Sequence, residues 1–246
     1  MFALFAGLIF FLRACDCGTG GSAVRGSTLE SLKSQMTSYP EYTIILEDMN
    51  EEGNFSTDYY HKYRVVYASG ENNSDGTPIF SSINIPWKRV SESDYRKYEK
   101  SLGMALVTKK DGEESTVEQP PGYDYVGDER YGRWESQPGG GSSFWVWYGT
   151  SRILGDLFRM GNRGRIDRGD WTTYRDHRRS GRTYYGKKNE YGTSGSYTKK
   201  SNPDFFQRRQ MRQSSSKESF RNKVQKRTRR TNMSRTRSRS SGGFGK

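Results

Sequence analysis

From Ser27 onward the apolar positions fall into a readable series of periods. Leu29, Leu32 and Met36 recur at helical spacing behind Ser27 and Glu30, a capping-box pair, and Pro40 closes the segment. YTIILE (42–47) is β-branched and apolar, and the turn NEEGN follows it. DYYHKYRVVYA (58–68) then alternates: Tyr59, His61, Tyr63, Val65 and Tyr67 share one side, and Tyr60, Lys62 and Arg64 the other. A second turn, ENNSDGTP (71–78), leads to IFSSINIPW (79–87), with Ile79, Ile83, Ile85 and Trp87 on one face. Pro86 ends this strand or places it at a sheet edge, because proline has no amide to give to a ladder. SESDYRKYEKSLG (91–103) predicts a second helix, capped by Ser91 with Asp94 and ended by Gly103, with Tyr95, Tyr98 and Leu102 inward. MALVT (104–108) is a last short strand. The order predicts an α+β fold, a small antiparallel-sheet domain with two helices over residues 27–110 and room for one modest core.

The pattern then loosens. Residues 111–143 mix acids, Pro, Gly and single aromatics and read as a linker, with Tyr123, Tyr125, Tyr131 and Trp134 able to drape over the domain. Residues 144–160 read as an amphipathic aromatic helix with Phe144, Trp147, Tyr148, Leu154, Leu157 and Phe158 on one face and Arg152, Asp156 and Arg159 opposite. That face suits a membrane interface or a protein partner. Capping of the domain's own sheet is the competing reading. In residues 161–246 Leu is absent and Ile166 and Val224 are the only branched aliphatics, so a disordered basic tail is expected.

At the other end, residues 2–12 (FALFAGLIFFL) carry no polar side chain. Eleven residues are too few to span a bilayer, which takes about 20, but they suit the apolar region of a secretory signal. Residues 1–17 therefore read as a signal or lipid-anchor segment and 18–26 as a flexible Gly/Ser/Thr spacer. Leu12-Arg13-Ala14-Cys15 is similar to a bacterial lipoprotein cleavage box, although Arg13 departs from it, which makes Cys15 the candidate for lipidation. No cysteine follows Cys17, so the rest of the chain has no internal disulfide.

Charge changes the picture more than composition does. Residues 161–246 hold 25 Arg and Lys against 6 acids, whereas residues 1–160 hold 16 against 22. A basic arm is attached to a mildly acidic body, the arrangement of a protein that meets something anionic. Arg208, Arg209, Arg227, Arg229, Arg230, Arg235, Arg237 and Arg239 are the expected anion-binding residues. His61 has no Cys, second His or acid at a telling spacing, and the acids around the first turn lack a calcium-loop pattern. No phosphate loop, nucleophile elbow or zinc-protease helix occurs. No catalytic residue, metal site or cofactor is expected.

The fragments YYHKYRVVY, PGYDYVGDERYGRWE, GGGSSFWVWYG and YGTSGSYTKKSNPDFFQRR, with a Ser/Arg tail ending GGFGK, resemble a group of bacterial envelope proteins and small lipoproteins. The resemblance implies export and membrane association and supplies no enzymatic activity. The leading expectation is a non-enzymatic, membrane-tethered envelope protein, whose basic tail binds a membrane surface, an anionic envelope polymer or a protein partner. A cytosolic RNA-binding protein using the Arg/Ser/Tyr-rich tail is the alternative, and only there is nucleic acid the partner.

Overall fold

The computed structural model describes residues 27–53, 56–74, 76–136, 139, 141–149, 151–158 and 166–237, without the side chains of 152, 153 and 230–237. Its centre is a five-stranded antiparallel sheet of β1 (Tyr42–Glu52), β2 (Asp58–Asn72), β3 (Pro78–Val90), β4 (Ala105–Lys110) and β5 (Glu113–Ser115), in the order β3-β2-β1-β4-β5. β3 is an edge strand, which is where Pro86 can sit without breaking a ladder. Helix α1 (Thr28–Met36) and helix α2 (Glu92–Lys97) close one face. Ser27 caps α1 by accepting from the Leu29 amide, and Ser91 caps α2 by accepting from the Asp94 amide. Leu29, Leu32, Met36, Tyr95, Tyr98 and Leu102 pack there on Ile44, Leu46, Tyr63, Val65 and Leu106.

The opposite face is buried as well, and that overturns the linker reading of 111–143. Tyr123 and Tyr125, in a single 3-10 turn, and Tyr131 are at most 1% exposed and pack on Ile45, Val66, Ala68, Phe80 and Ala105. The predicted helix over 144–160 is also corrected. Phe144–Trp147 is a strand, β7, paired antiparallel with β6 (Gly132–Glu135), and only Arg152–Leu157 is helical (α3). Bulky aromatic and β-branched residues in Phe-Trp-Val-Trp favour an extended chain, and Trp145, assigned to neither helical face, is the one that points into the core. Gly132 lets its strand lie against that indole: a Cβ there would come within 2.7 Å of the Trp145 ring.

The tail boundary at 161 moves too. Helix α4 (Arg168–Arg179), the loop after it and helix α5 (Ser196–Ser201) fold over the second core, burying Ile166, Tyr174, Tyr184 and Tyr191. Four tyrosines do here what the absent leucines could not: each ring fills the core and each hydroxyl meets a carboxylate. Tyr123 donates to Asp170 at 2.8 Å, and Tyr184 donates to the other oxygen of the same carboxylate; Tyr174 donates to Asp124 at 2.6 Å, and Tyr131 to Glu41 at 3.1 Å. The coreless arm expected from composition begins after Phe206, where helix α6 (Pro203–Arg237) leaves the body and every described side chain from 213 to 229 is exposed.

Candidate anionic-surface site

Beyond Ile45, β4 no longer runs beside β1; only the Leu46 amide and carbonyl are still met there, by Met104 and Gly103. The rest of β1 would present bare carbonyls along that edge, and three side chains cover them instead. Asn202 Nδ2 donates to the Glu47 carbonyl at 2.7 Å, Arg208 Nη2 to that of Met49 at 3.4 Å, and Arg212 Nη1 to that of Glu51 at 2.6 Å. The acceptors alternate along the strand, as outward-facing carbonyls must. Arg208 also holds both oxygens of Asp48, at 2.6 and 2.7 Å, and lies 5.7 Å from the Trp87 ring centroid. Phe205, 3% exposed, plugs the first core. Together these contacts are the seat from which α6 projects.

The charge is partitioned at that seat. Residues 207–246 contain 14 Arg and Lys and a single acid, Glu218, so they hold the whole +13 and the first 206 residues are neutral. Among the described side chains of α6, Met211, Phe220 and Val224 are the exposed apolar ones. Such a helix offers its surroundings charge rather than an apolar stripe.

The chain enters α1 and reaches this seat at the same end of the sheet. Thr28 Oγ1 donates to the Arg89 carbonyl at 3.4 Å; Arg89 pairs with Tyr60, and Tyr60 with Asn50, which Arg212 holds at 2.8 Å. Two strand spacings, roughly 10 Å, separate the two points across the sheet.

Among the residues expected to bind anions, Arg208 is corrected: Asp48 and the β1 edge use its guanidinium, so it is part of the seat. Arg209 and Arg229 are exposed, and Arg227 has an interaction of its own within the chain. Arg230, Arg235 and Arg237 lie on α6, with side chains outside the described residues, and so does Arg239 altogether. Cys15, the leader and the spacer are outside the described residues as well. The expected membrane-facing stripe is not a surface. Leu154 and Phe158 are in the second core, Trp147 and Leu157 pack against it, Phe144 is half-buried, and only Tyr148 is exposed. Asn202 and Arg212, which make the seat, carried no sequence signal except that Arg212 stands one helical turn beyond Arg208.

No described helix is long and apolar enough to cross a membrane. Among the described residues no group of three His, Cys, Asp or Glu side chains could hold a metal ion. His61 is buried under α2, its Nδ1 3.0 Å from the Tyr63 hydroxyl and its ring stacked on Tyr95. Burial pushes its pKa down to about 4, so it is neutral at physiological pH. Its position is that of a packed core residue. Compared with known protein families, characterised proteins and solved structures, the chain matches none.

Proposed function

We propose that this is a non-enzymatic envelope protein, tethered at the membrane through its apolar leader and Cys15, which presents helix α6 to an anionic surface. The observation that carries the reading is the charge partition: a neutral two-core body, with all of the net +13 on residues 207–246. The α+β body then serves as a rigid mount. It holds α6 by Phe205, Asn202, Arg208 and Arg212, and the start of α1 and the cationic helix lie at one end of the sheet. A tether and a charged arm at one end reach the same surface together, and the tether raises the local concentration of the arm. Near an acidic leaflet each Lys or Arg contributes about 1 kcal/mol, and the attraction decays within a Debye length of about 10 Å at 0.1 M salt.

The test is fractionation of the full chain and of a variant lacking 207–246. The full chain is expected in the membrane fraction, with a lipid on Cys15 by intact mass. The truncated chain is expected to stay anchored but to lose salt-sensitive retention of anionic vesicles. Full-length protein in the cytosolic fraction with Met1 in place, crosslinked to RNA, would overturn the proposal.

A further inference from the structure

Helix α6 does not leave the body flush against it. Between its first turns and α2 lies an open cleft of about 630 Å3, floored by Tyr95 and Phe205. Its walls hold both signs of charge, and most of them are already matched. Arg96 lies 3.7 Å from Glu99, and Arg212, held on the β1 edge, stands in the same lining as Glu51. Two cations on the α6 wall remain, Arg209 and Lys217, with no ion-pair partner among the described residues. They stand eight positions apart, about 12 Å along the helix axis, and Gln213 and Ser216 line the wall between them.

We infer that this cleft is a binding site for a phosphate monoester, held between Arg209 and Lys217. A monoester carries close to two negative charges at neutral pH, equal and opposite to the net charge of a lining that holds Arg96, Arg209, Arg212 and Lys217 against Glu51 and Glu99, and it has three acceptor oxygens. Arginine offers it a planar fork and lysine a point charge, while Gln213 and Ser216 supply neutral donors. The aromatic floor removes water from one side of the ion and strengthens each contact. A phosphodiester brings one charge and leaves the other cation unmatched. The site itself needs only the cleft; that its phosphate belongs to a lipid headgroup rests on the anionic-surface reading above.

The experiment uses the full chain and two double variants that remove equal charge. Arg209→Ala/Lys217→Ala takes away the cleft pair, and Lys223→Ala/Lys226→Ala takes away two exposed lysines farther along the same helix. Calorimetric titration with glycerol 3-phosphate should show binding that weakens at least about tenfold in the first variant and less than about twofold in the second. Equal weakening in both, or no binding by the unaltered chain, overturns the site. Vesicles containing phosphatidate or phosphatidylglycerol at matched surface charge separate the sources. A preference for phosphatidate that the cleft variant loses supports a lipid-borne phosphate. Glycerol phosphate binding without vesicle binding keeps the cleft and removes the surface reading. Vesicle binding that is blind to the cleft pair does the reverse.

Discussion

The two faces of one sheet are covered in opposite ways. On one side α1 and α2, each next in sequence to a strand it covers, lay Leu29, Leu32, Met36, Tyr95 and Tyr98 on the sheet. On the other, residues from 123 to 184 are gathered from a 3-10 turn, a two-stranded ribbon and two helices, and the side chains are largely aromatic. The first layer is closed by shape and side-chain volume. The second also needs direction, because Asp124, Asp170 and Glu41 accept from the hydroxyls of Tyr174, Tyr123, Tyr184 and Tyr131. A segment rich in Pro, Gly and charge can therefore complete a core when tyrosines and carboxylates are matched in pairs.

This comparison breaks if the aromatic layer is only a loose drape. Tyr131→Ala removes a fully buried ring and leaves Glu41 without its hydroxyl, so a loss of about 4 kcal/mol is expected from urea unfolding. A loss below 1 kcal/mol would show that the layer contributes little. The helical layer carries a pH signature at His61. Its folded pKa, about 4, lies below the 6.5 of the unfolded chain, so unfolding takes up a proton between those values. Stability is then full above pH 6.5 and falls as the pH drops from 6.5 towards 4, by about 3 kcal/mol in all. His61→Gln should flatten that slope in a pH series of unfolding midpoints; an unchanged slope places its origin elsewhere. Asp170→Ala leaves Tyr123 and Tyr184 without their acceptor and should cost about 2 kcal/mol, with amide exchange rising first in α4. Exchange rising equally in α1 would deny that the two layers respond separately. The smallest effect is Ser27→Ala, about 1 kcal/mol, read as fraying of the first turn of α1 in hydrogen exchange.

The contrast also explains what could be read from the chain. The caps at Ser27 and Ser91, the inward triplets of both helices and the edge position of β3 follow from short-range periodicity, and periodicity is what a local code preserves. The second layer has no period: Tyr123, Tyr125, Tyr131, Trp145, Tyr174 and Tyr184 meet only because β1 and β2 give them a surface to share. Phe144 to Phe158 fits a helical wheel by spacing, yet Gly149 interrupts it and the ladder with β6 is the stronger claim on its first four residues. The arm's charge was plain in the sequence. Its seat was not, because Asn202, Arg208 and Arg212 act on carbonyls more than 150 residues earlier.

That seat has a consequence for how the protein behaves in a crowd. Half of a central strand has no strand beside it on one side, and an unguarded edge of this kind recruits copies of itself into growing stacks. The side chains that hold the cationic helix are also the ones that keep this template occupied. A proteolytic cut that removed the chain after Ser201 would do more than delete charge: it would bare this edge and leave the protein prone to clump, and turbidity would report the loss before any binding assay did.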